Sequence, residues 1–249
     1  MSPNLSILAA GAVELGVSLD EWRLAQFARY RELLLDWNTR INLTAITDPT
    51  EVETRHFLDS LTCTLAIPVE ERARQLAVLD VGSGAGFPGL PLAIAFPHWR
   101  VALLEATGKK IRFLDAVIAE LGLAHVRTVQ GRAEEVAHRS GQRSHYTLVT
   151  ARALAALPTL LEYCAPFARV GGVIVAPKKG DLANEIAAGG RAASLLGAQL
   201  LDPVPILDTP ALAPLADGRV LLVARQERAC PSQYPRAAGA PVKQPLGTA

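Results

Sequence analysis

After Gln75 the chain settles into short β-branched apolar runs separated by stretches of helical period, and few architectures satisfy that alternation. Strands covered on both faces read as near-continuous apolar runs, and parallel strands need a crossover between them. The pattern predicts an α/β fold, a mostly parallel sheet with helices on both faces. Seven strands are expected, at Leu76 to Val81, Arg100 to Leu104, His125 to Val129, Tyr146 to Thr150, Gly172 to Ala176, Gln199 to Leu207 and Arg219 to Ala224. The last two are joined by "DTPALAPLADG". Its prolines and glycine suit a loop, so the final strand is expected to run antiparallel.

The flanks read differently. Leu24, Phe27, Tyr30, Leu34, Trp37 and Ile41 recur at helical spacing, Ser18 and Glu21 suggest a capping box, and Asp48, Pro49 and Glu51 open a second helix. Residues 1–75 are therefore expected to form a small helical N-terminal cap, residues 76–228 the main domain, and residues 229–249 a flexible tail. That tail, "CPSQYPRAAGAPVKQPLGTA", is rich in Pro, Gly and Ala without periodicity. From Arg225 onward Arg225, Arg228, Arg236 and Lys243 face only Glu227, although the net charge of the whole chain is +1. Charge, Pro or Gly interrupts every long apolar stretch, and the N-terminus lacks a basic signal region. Three cysteines with no ligand-like spacing suggest neither a disulfide framework nor a metal site. A cytoplasmic protein that uses no membrane and no metal is expected.

The stretch "VLDVGSGAGFPGLPLAI" carries the first functional signal. Gly84, Gly86 and Gly89 fit the spacing of a dinucleotide-binding loop, so an NAD(P)-dependent oxidoreductase is one reading. Asp80, immediately before the glycines at the strand's end, is expected to point into the crevice, where it would repel a pyrophosphate and attract a cation such as S-adenosylmethionine. Glu105 ends the next strand, the place for an acid that accepts hydrogen bonds from ribose hydroxyls. "GRAEE", from Gly131 to Glu135, opens a helix where Ala133 and Glu134 would lie beside an adenine.

Taken in order, "NTRINLTAI", "RHFLDSL", "LDVGSGAGFPGLPLAI", "LLEATGKKIRFL", "GRAEE", "TARALA" and "APKKG" resemble the bacterial GidB or RsmG family of small-subunit ribosomal RNA methyltransferases, and the ending "QYPRAAGAPVKQPL" is similar to that of many members. The resemblance implies a Rossmann-like class I methyltransferase domain using S-adenosylmethionine. It implies methylation at N7 of a guanine in the 530 loop of 16S rRNA (guanine 527), with the RNA expected as part of a 30S subunit or an assembly intermediate. Positions carried across by motif as cofactor contacts are Gly82, Phe87, Glu105 with Ala106, Ala133, Glu134 and Arg152. Glu105 stands where many relatives have Asp, and Thr150 where several have Ser.

Guanine N7 has an in-plane lone pair and no proton to lose, so its methylation needs positioning rather than a base. Cys164 follows Tyr163, not Pro, and the fourth strand ends "TARALA", so neither pyrimidine-C5 nor amino-group methylation chemistry is suggested. Arg152 at the crevice lip would contact a phosphate, the cofactor carboxylate or guanine O6, and is the candidate catalytic residue. Lys109, Lys110 and Arg112, with Lys178 and Lys179, would rim the same edge and meet RNA phosphates. His56, Asp59 and Ser60 share a helix without any oxyanion turn. His56 and Asp59 are either an i, i+3 pair that orders the cap or substrate contacts, with Asn42 in the preceding loop near the substrate mouth by resemblance. An RNA-binding ribosome-assembly factor on an inactive methyltransferase fold is the remaining alternative.

Overall fold

The computed structural model describes residues 5–247; residues 1–4 of the expected cap and 248–249 of the expected tail lie outside them. Eight strands form one sheet: β1 (Ala77–Val81), β2 (Arg100–Glu105), β3 (Val126–Gln130), β4 (Tyr146–Thr150), β5 (Ala168–Lys179), β6 (Ala198–Leu200), β7 (Val204–Pro205) and β8 (Arg219–Gln226). Their order is β3-β2-β1-β4-β5-β8-β6, with β7 also paired to β8. The first five are parallel, and β8 runs antiparallel to β5, β6 and β7. The antiparallel final strand is as expected. The expected sixth strand is two, because after Leu201, whose amide still donates to Val223 O at 2.8 Å, the ladder is interrupted at Asp202 and Pro203, and Pro203 has no amide hydrogen to give it.

Helices cover both faces: α1 (Ser6–Glu14), α2 (Glu21–Asn38), α3 (Pro49–Val52), α4 (Asp59–Leu61), α5 (Val69–Arg72), α6 (Gly89–Ala95), α7 (Gly108–Glu120), α8 (Ala133–Val136), α9 (Leu157–Cys164), α10 (Ala183–Leu196) and α11 (Ala240–Lys243). Strand residues alternate between two cores, as period-two geometry requires. Val78, Val101 and Leu103 pack with Phe27, Phe57, Leu90 and Phe113 from the cap, α6 and α7. Leu79, Val81, Ala102 and Leu104 pack with Leu160, Leu161 and Leu196 from α9 and α10. The N-terminal helices thus share a core with the sheet. Among the described residues no helix is long and apolar enough to cross a membrane.

Several local expectations are corrected. Asp20, not Ser18, caps α2, accepting from the Arg23 amide at 2.8 Å. Asp48 caps α3 as expected, accepting from the Thr50 and Glu51 amides at 2.9 Å, but Glu51 turns its carboxylate toward Arg55, 3.4 Å away. Between α3 and α4 the turn widens to a π-helix over Glu53–Leu58. There Glu53, buried, accepts the Leu8 amide at 2.8 Å and fixes α1 to the cap.

The tail is docked, against expectation. Arg143 donates to the carbonyls of Cys230, Pro231 and Tyr234 at 2.7–3.1 Å. Arg236 grips the fully buried Glu162 of α9 with its amide, Nε and Nη2 at 2.7–2.9 Å. Thr159 donates to Pro241 O at 2.8 Å. Prolines limit what the tail loses in entropy on docking, and side chains of the main domain satisfy its irregular backbone.

Candidate functional site

The sheet's strand order reverses between β1 and β4, which leaves a crevice above the strand tips where connections diverge to either side. The loop after β1 lines it. Gly82, Gly84 and Gly86 hold φ of +71°, +59° and +96°, conformations costly to any residue with a Cβ. The amides of Gly82 and Ser83 donate to Leu104 O at 2.8 and 3.0 Å, and the Tyr30 hydroxyl donates to Ala85 O from beneath. A Cβ on Gly82 would sit 2.7 Å from the end of the Leu154 side chain, which would have to turn aside, so the positive φ is the stronger constraint.

Asp80 does not open into the crevice. Its carboxylate is fully buried, accepting from the Gly89 amide at 3.0 Å and lying 3.3 Å from the Thr150 hydroxyl. Burial pushes it up to about 6, against the pull of the Gly89 amide. Period-two alternation explains the placement: Asp80 shares a face with Val78, and that face is roofed by α6. It anchors the glycine loop from below.

Glu105 does reach the crevice. One carboxylate oxygen accepts from the Gly84 amide at 3.0 Å and the other from Thr107 at 2.7 Å, leaving acceptor capacity on both. With Gly82, Ala106, Lys110, Ala133 and Glu134 it lines a cavity of about 290 Å³, near the lower bound for a small-molecule site. Glu134, almost buried, has Arg132 at 3.7 Å and accepts weakly from the Gly239 amide at 3.4 Å. Tyr163 of α9 completes the wall. Two carboxylates, an apolar floor and glycine backbone suit an adenosine with a cationic substituent.

A second crevice of about 260 Å³ adjoins the first through Ala153, which lines both and holds φ of +54°. Its walls carry Asp59, Arg152, Lys179 and Arg219. Arg152 Nη1 donates to Asp59 Oδ2 at 2.8 Å and to Arg55 O at 3.1 Å, and Nη2 to His56 Nδ1 at 3.0 Å. Its guanidinium lies 4.9 Å from the Phe87 ring, on which His56 also stacks at 4.3 Å. Arg219 Nη1 reaches Asp59 Oδ1 at 2.5 Å, and its Nε reaches Asp217 at 2.8 Å. His56 is lowered to about 3 by burial and then by Arg152. It is a neutral imidazole whose Nε2 bonds the Thr44 hydroxyl at 2.7 Å. The loop carrying exposed Asn42 is fastened at the same point, since Asn38 accepts from the Leu43 and Thr44 amides.

Several expected contacts fall elsewhere. Phe87 is buried beneath Arg152 and lines neither crevice; it supports the arginine. His56 and Asp59 are joined through Arg152 rather than to each other. Lys178 does line the second crevice, but its ammonium is engaged there, donating to Ala155 O at 2.7 Å and to Glu185 at 2.6 Å, and Glu185 also holds the Leu157 amide. Lys109 is exposed on α7 outside both crevices, whereas Lys110 lines the first. Ser60, fully buried, donates to His56 O at 2.5 Å. Arg219 was not anticipated, yet an antiparallel final strand necessarily begins at the edge where parallel strands end. Tyr163 and Leu154 carried no signal.

A larger void, about 560 Å³, lies at the opposite edge of the sheet among His98, Arg100, His125 and Arg127. It contains neither the glycine loop nor a carboxylate among its described walls. Cys63, Cys164 and Cys230 are buried free thiols, all pushed up by burial. Among the described residues no group of His, Cys, Asp or Glu is arranged to hold a metal ion.

Over residues 23–207 the chain matches the family described as rRNA small subunit methyltransferase G, GidB. Ribosomal RNA small subunit methyltransferase G of Dehalococcoides mccartyi (strain CBDB1) is 45% identical over 96% of this chain and 98% of its own length. The protein of that name from Geobacillus kaustophilus (strain HTA426) is 44% identical over 94% and 95%. Among solved structures, a putative sarcosine dimethylglycine methyltransferase from Galdieria sulphuraria superposes with a TM-score of 0.54 at 14% identity, covering 73% of this chain and 88% of that one. A SAM dependent methyltransferase from Aquifex aeolicus superposes at 0.50 and 15% identity, covering 72% and 94%. Both likenesses bear on the fold, a Rossmann-like sheet of the methyltransferase type.

Proposed function

Because the chain belongs to the rRNA small subunit methyltransferase G (GidB) family, we propose that it methylates 16S ribosomal RNA with S-adenosylmethionine, at N7 of guanine 527 in the 530 loop. The observation that carries this reading is the pair of crevices meeting at Ala153, one lined by Glu105, Glu134 and glycine backbone with Lys110 and Arg132 beside them, the other by two arginines and two lysines around Asp59. Glu105 would take the ribose hydroxyls, Ala133 and Glu134 the adenine, and the Gly82–Gly84 backbone would allow close approach. When bound, S-adenosylmethionine supplies an electrophilic methyl carbon on a sulfonium, whose positive charge suits the acids of the first crevice.

The chain's own task is orientation. N7 attacks with a lone pair it already has, so no residue needs to remove a proton. His56 fits that economy: neutral, with both ring nitrogens engaged, it holds Arg152 rather than relaying protons. Asp80 and Tyr30 keep the loop in place, while Arg152 and Arg219 face the RNA. Lys110 and Lys179 would neutralise phosphates at the rim.

The test is mass mapping of 16S rRNA from cells with and without the protein, and of 30S subunits incubated with it and labelled cofactor. A methyl group at N7 of guanine 527 that depends on the protein is expected. Equal modification in both strains, with none transferred in vitro, overturns the substrate assignment.

A further inference from the structure

Asp59 is the one acid among the described walls of the second crevice, and two arginines hold it from either side. Its side chain is only 6% exposed, so its orientation is fixed. The π-helical turn that precedes it re-aims the residue toward the strand tips. Each oxygen accepts one guanidinium hydrogen bond, which leaves a further lone pair on each. Arg152 uses three of its five N–H donors on Arg55, Asp59 and His56. Two donors remain, next to a carboxylate with free acceptor capacity, on the wall of a cavity adjoining the cofactor crevice.

We propose that Asp59 and Arg152 select guanine by reading its O6 and N1–H edge, Arg152 donating to O6 and Asp59 accepting from N1–H. This rests on the reading of the second crevice as the substrate side. Guanine offers an acceptor beside a donor there, whereas adenine offers a donor beside an acceptor and would meet like with like at both residues. O6 lies between N1 and N7 on the purine rim. With N1–H at Asp59 and O6 at Arg152, N7 lies beyond O6 from Asp59, and transfer requires that it face the junction with the first crevice at Ala153. The transfer balances without a base: the N7 lone pair forms the new bond to carbon, the broken bond's electrons stay on sulfur, and no proton leaves. The ring becomes cationic as the methyl arrives, and N1–H becomes a better donor, so its bond to Asp59 strengthens in the transition state.

The test uses the full chain and 30S subunits reconstituted with 16S rRNA bearing one altered base at the target. Inosine keeps O6 and N1–H and is expected to be methylated within about threefold of guanosine. 1-Methylguanosine loses the N1–H and is expected to react roughly 30-fold more slowly, the loss typical of a hydrogen bond to a charged group. Asp59→Asn is expected to cost about as much on guanosine, to add nothing on 1-methylguanosine, and to leave cofactor affinity within about twofold. Should Asp59→Asn fail to fold, Asp59→Glu and the base series on the unmodified chain still decide. Equal rates on guanosine and 1-methylguanosine, multiplying losses, or lost cofactor binding would each overturn the proposal while leaving the enzyme assignment intact. If guanosine itself is not methylated, both fall together.

Discussion

Asp80 and His56 are two buried groups displaced in opposite senses, and their pH signatures oppose each other. Asp80 rises from 3.8 to about 6, so the stability associated with its protonation is complete below 3.8 and lost as pH climbs through 6. His56 falls from 6.5 to about 3, so the unfolded chain takes up its proton first, and stability is lost as pH drops below 6.5. Between roughly pH 4 and 6 the two slopes, each at most about 1.4 kcal/mol per pH unit, offset each other. Chemical denaturation across that range should show Asp80→Asn gaining stability relative to the parent as pH rises, and His56→Gln losing it. Parallel curves for parent and variants would show that neither group is displaced as described. Asp80 was visible in the sequence as an acid before glycines, and its burial was implied by alternation with Val78; reading it as a crevice charge gave its position more weight than its face. Arg152 was visible as a lip residue, but its partners lie in segments that only the tertiary fold brings to it.

Elements were legible in proportion to their periodicity. Six strand regions stand where apolar alternation put them, and the sixth expected strand failed at a proline. Helix α1, "SILAAGAVE", lacks a polar face because small residues let it lie close to the cap; a Cβ on Gly11 would stand 2.5 Å from Leu58. The docked tail was illegible because it is held largely through backbone carbonyls taken by scattered side chains such as Arg143 and Thr159, with an ion pair to Glu162, which leave no periodic trace. Arg236→Ala would leave Glu162, which is fully buried on α9 beside Tyr163 of the cofactor wall, without its counter-charge and with only the backbone amide of residue 236 from that partner. A loss of about 3 kcal/mol in urea denaturation is expected, with weakened cofactor binding by calorimetry. Gly82→Ala puts a Cβ where φ is +71° and Leu154 is too near. At least a tenfold loss of cofactor affinity is expected, with roughly 1 kcal/mol or more lost from stability.

For the molecule as a whole, a net charge of +1 conceals a local excess: Glu105 and Glu134 balance Lys110 and Arg132 in the first crevice, whereas Arg152, Lys178, Lys179 and Arg219 outnumber Asp59 in the second. RNA affinity should therefore fall with salt while cofactor affinity scarcely moves. If Lys110, Lys179 and Arg219 each neutralise one phosphate, log K should fall against log salt with a slope of roughly −2 to −3, and Lys179→Gln should make it shallower by nearly one. Identical slopes would remove Lys179 from the interface. The reversed final strand has one more result. Arg219 clasps Asp59 across 160 residues of sequence. A chain still being synthesised lacks that clasp until Arg219 has left the ribosome, so the second crevice is completed only near the end of synthesis.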